Sequence, residues 1–167
     1  WYQQEDYSGT PAKATDKASN TGNGSLALYA KWVPITVPVT FETTLDKTTI
    51  NGTTMKQTFS DAKYDQTYAS LFADHKLPQP IDGTGGAYSF TGWFTDMGWE
   101  ITDTTKISSV TGHTITAGWK NNQATIVLNE NGGVFAPGVS VVNVVNKGTK
   151  LDLPTAASVT REGYTLL

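Results

Sequence analysis

Leu77-Pro78-Gln79-Pro80, followed eleven residues after Leu77 by Tyr88-Ser89-Phe90-Thr91-Gly92-Trp93-Phe94, is the stretch on which the fold turns, because it occurs twice. Leu153-Pro154 is followed at the same interval by Tyr164-Thr165-Leu166-Leu167, so both elements recur 76 residues on. A second pair, Leu28-Tyr29-Ala30-Lys31-Trp32 and Thr116-Ala117-Gly118-Trp119, aligns at its tryptophans 87 residues apart. Each of these tryptophans precedes a strand-like start, Val37-Pro38-Val39-Thr40-Phe41 in one place and Ala124-Thr125-Ile126-Val127-Leu128 in the other. Trp1-Tyr2 matches Trp93-Phe94. Recurrence of several elements in the same order marks an internal repeat, and the length differences fall between the matched elements, where loops on a fixed scaffold vary. The expected organisation is the C-terminal part of a preceding repeat over 1–32, a complete repeat over 33–119, and the N-terminal part of a following repeat over 120–167. The two partial units are then expected to pack loosely or to pair tail to head between molecules.

Composition narrows the function classes. The chain has 167 residues, 12 Lys+Arg against 15 Asp+Glu, and no cysteine, which excludes disulfides, thiolate metal sites and a thiol nucleophile. Without a basic cluster it lacks the footprint that a phosphate backbone demands, so nucleic acid is not an expected partner. No apolar run reaches the length of a membrane helix and no leader opens the sequence, so no membrane insertion is expected in this segment. The 27 threonines, 16 glycines and 7 prolines favour β-branched strands with turn punctuation over helix.

With these elements in order, the chain resembles the Listeria–Bacteroides repeat, also called the internalin B-repeat, found in tandem on bacterial surface proteins. The resemblance rests on Tyr88-Ser89-Phe90-Thr91-Gly92-Trp93-Phe94-Thr95-Asp96, Arg161-Glu162-Gly163-Tyr164-Thr165 and Leu28-Tyr29-Ala30-Lys31-Trp32. Ala87 stands where the pattern has Gly, and Ala117-Gly118 where it has Tyr-Ala. The resemblance implies an α+β, β-rich fold of tandem small β-grasp-like (ubiquitin-like) repeats, each a twisted sheet with one short helix. It brings no catalytic residues and no cofactor. It implies an extracellular place, on a bacterial cell surface or secreted, with neighbouring repeats of the same chain as partners.

Within the unit, Val37, Val39 and Phe41 alternate with Pro38 and Thr40 as a strand with one buried face does. Tyr68, Leu71 and Phe72 are spaced for a short helix before Pro78 forbids continuation, with Asp65 or Thr67 as its cap. Ser89–Phe94 is a strand whose Gly92 admits a neighbouring backbone or ring and whose Phe90 points inward. Asp96-Met97-Gly98 forms a turn, Asp103-Thr104-Thr105 starts a capped helical turn running to Val110, and Thr114–Trp119 closes the unit, with Trp119 against the next one.

No constellation in the sequence carries chemistry. Trp1, Trp32, Phe41, Phe90, Gly92, Trp93, Trp119 and Tyr164 are repeat positions and read as structural. Trp99 is not called for by the pattern, and an exposed indole there would stack on a sugar or a partner side chain, with Tyr88 and Asp96 as further contacts. Asp96, Glu100 and Asp103 lack the spacing of a calcium loop and read as solvated carboxylates. Asp74-His75 points to two different faces of a helix, and His113 reads as a turn residue. Gly83-Thr84-Gly85-Gly86 and Asn131-Gly132-Gly133 lack the Lys-Ser/Thr that a phosphate loop needs. A Lys-to-Asn internal bond is a further possibility, detectable as the loss of one ammonia in the intact mass. The sequence thus predicts a non-catalytic stalk or spacer, or alternatively a module contacting host protein or glycan through loops around Trp99.

Overall fold

The computed structural model describes residues 1–13 and 26–167. Its centre is a five-stranded mixed sheet in the order β3-β1-β7-β5-β6. The strands are β1 (Thr36–Glu42), β3 (Lys56–Lys63), β5 (Tyr88–Thr95), β6 (Glu100–Ile101) and β7 (His113–Asn121), with β2 (Thr48–Thr49) and β4 (Ile81–Asp82) pairing outside it. β1 lies parallel to β7, while β1–β3, β5–β7 and β5–β6 are antiparallel.

Local chemistry accounts for the irregularities. Pro38 has no amide to give to a ladder, and the β1–β3 register shifts between Val37 and Val39, at that residue. On the other side of β1 the ladder to β7 begins only at Val39 opposite His113. Gly112 allows this, since a Cβ there would sit 2.7 Å from Pro38 Cγ. A second bulge falls between Phe90 and Gly92, where Gly92 adopts φ +144°. Gly92 pairs with Gly118, and the bare backbone of Gly118 admits the Phe94 ring, which a Cβ would meet at 2.5 Å.

The core gathers on one face around Phe41. Its ring meets Phe72, Trp93, Phe59 and Tyr68 edge-on, at centroid distances of 5.0, 5.1, 6.2 and 6.4 Å. Such pairs contribute about 0.5–1.5 kcal/mol each beyond burial. Val37, Val39, Ile50, Ile101, Ile107, Ile115 and Ala117 complete the packing.

The expected fold class needs correction. The protein is β-rich with mixed and antiparallel sheets and has no α-helix among the described residues, so tandem β-grasp-like units with one short helix each are not what it forms. The segment read as a helix is a single 3-10 turn, Tyr68–Leu71, after which Phe72 returns to extended backbone. Thr67 does cap it, accepting from Ser70 N, whereas Asp65 is paired with Lys106 instead. The turn stops because its backbone is tied sideways. Asp65 N donates to Ile107 O, Ile107 N to Gln66 O and Tyr68 N to Thr105 O, and so short a segment cannot nucleate a helix against such pairing. The same contacts hold 105–107 extended, so the helical turn expected after Asp103 is replaced by a tight turn at Thr102–Thr105.

Beyond Asn121 the strands are β8 (Gln123–Val127), β9 (Val134–Phe135), β10 (Val142–Asn146) and β11 (Val159–Thr160). β8 pairs with β10 and β9 with β11, all antiparallel, just as β1 pairs with β3 and β2 with β4. This region meets the central one through polar contacts. Asn146 Nδ2 donates to Gly85 O, Asn122 N to Ala87 O and Lys147 N to Asn122 O. Trp119, expected at that junction, faces inward instead and packs on Phe90. Before Trp32, Tyr2 and Tyr29 form an isolated bridge with Lys31 over the Tyr2 ring.

Candidate functional site

The most exposed aromatic feature of the central sheet is the β5–β6 turn. Thr95 N donates to Trp99 O and Gly98 N to Thr95 O, while Thr95 Oγ1 accepts from Trp99 N. Gly98 supplies the positive φ of +80°. This turn holds Met97 79% and Trp99 70% exposed, with Asp96 and Glu100 also on the surface. Glu100 reaches back over Gly92, where its Oε1 would lie 2.8 Å from a Cβ.

Tyr88 does not join them. It is half-buried at the far end of β5, opposite Asn121, and the rise of about 3.3 Å per strand residue puts it roughly 23 Å from the turn. The three residues expected as a contact set therefore split into an Asp96–Trp99 tip and a separate Tyr88.

Asp96 has a neighbour that the sequence did not reveal. Tyr68 is buried, its hydroxyl 2.7 Å from His113 Nε2, and His113 Nδ1 lies 3.0 Å from Thr111 O. A carbonyl only accepts, so Nδ1 carries the proton and Nε2 accepts from the phenol. Burial first, and the Asp96 charge second, push the Tyr68 phenol above the ordinary tyrosine value. A phenol so shifted is no base at neutral pH. The pair joins the 3-10 turn to the start of β7. Nothing in the sequence links positions 45 apart, and His113 reads there only as a turn residue.

Asp103, Asp74 and the two glycine loops are engaged internally. Asp103 Oδ1 accepts from Leu77 N at 2.8 Å, and Asp74 Oδ1 from Lys76 N at 3.3 Å. Asp82 Oδ1 accepts from Thr84 N and from the Thr84 hydroxyl, and Oδ2 accepts from Gly86 N. The Thr84 hydroxyl is the main reason its carboxyl stays below the usual carboxylate value. The amides at 84 and 86 that a phosphate would need are thus already donated to a carboxylate. In the 129–133 loop, Asn131 N donates to Asn129 Oδ1 and Gly133 N to Glu130 O. No group of three or more His, Asp or Glu among the described residues is arranged to hold a metal ion. No Lys, Asn, Asp or Glu is buried among them, which gives an internal Lys-to-Asn bond no shielded acid to promote it.

The repeat positions divide sharply. Trp93 is 1% exposed and its Nε1 donates to Pro78 O at 2.8 Å. Trp119 Nε1 donates to Thr43 Oγ1 at 3.0 Å, and Phe90 stands between the two indoles at 5.7 and 5.8 Å. Trp1 and Trp32 are 64% and 88% exposed, and exposed Tyr164 carries Arg161 at 4.1 Å above its ring.

The chain is similar to a protein of Evansella cellulosilytica named "Putative Gly-rich membrane protein", with 31% identity over 137 residues. The match takes in 80% of this chain but only 13% of that protein's length. No protein-family profile matches the chain, and no solved structure does. No helix among the described residues is long and apolar enough to cross a membrane.

Proposed function

We propose that this chain is a spacer segment of a bacterial surface protein, of the Listeria–Bacteroides repeat kind, with units over 1–32, 33–119 and 120–167 joined head to tail outside the cell. The observation that carries the reading is the recurrence of pairing: the β1–β3 and β2–β4 ladders return as β8–β10 and β9–β11. In support, the contacts across the 122–147 junction come from the backbone and short amide side chains. A junction of that kind sets spacing without needing a ligand. The similarity to a small part of a much longer protein named as a membrane protein fits a segment embedded among many others.

A second reading has its own support in the Met97–Trp99 tip, an exposed apolar pair on a well-bonded turn, which suits contact with a host protein or glycan. Binding of the whole chain to glycan arrays and host-cell surfaces separates the two. The spacer reading expects no saturable binding and identical behaviour for Trp99→Ala. Saturable binding that Trp99→Ala abolishes while leaving the circular dichroism unchanged replaces it with the adhesive reading.

A further inference from the structure

We propose that two copies of this chain pair edge to edge, β10 against β10 about a two-fold axis, to make one sheet in the order β8-β10-β10-β8. Leu128 N donates to Val141 O and Lys147 N to Asn122 O, which fixes the odd-numbered residues of β10 as those bonded toward β8. The amides and carbonyls of Val142 and Val144 therefore turn outward, and no strand among the described residues pairs with them there. The Val142 carbonyl accepts from the Ser140 hydroxyl at 2.9 Å and keeps a second lone pair. This free edge belongs to the repeat and not to the length of chain. β10 takes the place of β3, and β3 stays outermost when the central sheet is complete.

The two edges are built differently. β3 carries Lys56, Asp61 and Lys63, and a bulge in which Ser60 and Asp61 together face Pro38, devices that keep an edge from pairing. From Gly138 to Asn146 there is no charge and no proline, and five of the nine residues are valine. β10 also runs along β8 without a register shift. Its exposed Val142 and Val144 extend the exposed Val127 on one face, where the central sheet has the hydroxyl pair Thr40 and Thr58. The occupant is a second copy because the edge complements itself. With Asn143 on the axis, Val142 meets Val144 of the second copy and Val144 meets its Val142. Four backbone bonds form, with valine beside valine. Charge agrees with this register, since the two Lys147 side chains end eight residues apart along the strands, about 26 Å, well beyond the screening length of about 8 Å. The same patch meets itself, so the contact closes at two copies. The inference rests on the recurrence of pairing but not on the spacer role.

Sedimentation analysis of the whole chain from about 1 µM to about 1 mM, with amide exchange read at both ends of that range, tests it. Wild type should pass from monomer to dimer and no further, and the Val142 and Val144 amides should exchange more slowly at the high concentration. Val144→Pro removes an amide that faces away from β8, as an edge position allows. It takes two of the four bonds from the dimer and should associate about 30-fold more weakly. Val144→Lys, which keeps that amide and places a charge on the edge, should also weaken association, whereas Val144→Thr and Trp99→Ala should behave as wild type. Circular dichroism checks that each variant is folded. A wild type that is monomeric at about 1 mM, growth past the dimer, undiminished association of Val144→Pro, or dimers in which the Val142 and Val144 amides gain no protection overturns the proposal. A monomeric wild type leaves β10 to a strand of another protein and leaves the spacer reading standing, because that one is judged by ligand binding.

Discussion

Residues 36–82 and 123–160 make the same two ladders, yet one is the foundation of a closed core and the other is not. Phe41 is fully buried, while Leu128 at the matching register is half-exposed. β8 shows the same alternation as β1, with Ala124 and Ile126 shielded and Thr125 and Val127 outward, but in β8 no side chain of either face is buried. The difference lies in the neighbours laid alongside. β1 has β7 as its second neighbour and β5 beyond it, which bring Trp93, Ile115 and Ala117 over the same face. β8 has only β10. Two-stranded ladders are marginal in water, and a third and fourth strand turn a pleated surface into a core. Pairing is thus a local property, whereas burial is a property of the whole sheet.

The sharpest way to break this comparison is at the matched tryptophans. Trp93→Ala should lower unfolding free energy by about 3–5 kcal/mol, since a filled aromatic core relaxes poorly around a lost indole. Trp1→Ala, at its repeat counterpart, should stay within about 0.5 kcal/mol as exposed positions do, measured by urea unfolding. Equal costs would mean that the exposed tryptophan is packed after all.

Amide exchange sharpens the same contrast without mutation. Amides of β1, β5 and β7 should exchange only with global unfolding, and those of β9 and β11 through local opening, on the order of a hundredfold faster or more. Uniform protection across both regions would contradict the contrast.

A smaller effect is expected at the Tyr68–His113 contact, which the 123–160 region lacks. Tyr68→Phe should cost about 1 kcal/mol for the lost hydrogen bond. Its pH signature is specific. The folded chain holds the Tyr68 proton more tightly than the unfolded chain, so the stabilisation is complete below the ordinary tyrosine value near 10 and declines as pH rises through the raised one. Wild type should therefore lose stability in alkali more steeply than Tyr68→Phe.

The smallest effect belongs to the Asp82 loop, which touches both regions through Gly85. Its carboxyl is held low in the folded chain, so its contribution is present above about pH 4 and fades as pH falls through the lowered value. Chemical shifts of Thr84 and Gly86 amides should move over that range in wild type and stay flat in Asp82→Asn.

How much of this was legible depended on the range of the interaction that decides each feature. The alternation of Val37, Val39 and Phe41 is local, and it identified a strand with one buried face. Pro78 bounds any helix begun at Tyr68, and Thr67 is recognisable as its cap. The length of the helical segment was not legible, because the amides that shorten it are claimed by Thr105 and Ile107 some forty residues on. The same holds for the site. Trp99 is legible as an aromatic in a turn and lies exposed, but the length of β5, which begins at Tyr88 and ends at Thr95, is what separates it from Tyr88. The Tyr68–His113 bond, made across 45 residues, left no trace in composition or spacing.

The parallel pairing of β1 with β7 has a consequence for load. The central sheet is entered through β1 and left through β7, and these two strands lie side by side in the same direction, Val39 to Glu42 against His113 to Thr116. Tension applied along the chain pulls the start of one strand away from the end of the other. The bonds between them are then strained together, in shear, and not peeled one at a time as in a hairpin pulled open from its ends. The antiparallel β8–β10 hairpin has no such arrangement. Under force the molecule should give way first beyond Asn121, with the sheet that buries Trp93 yielding last.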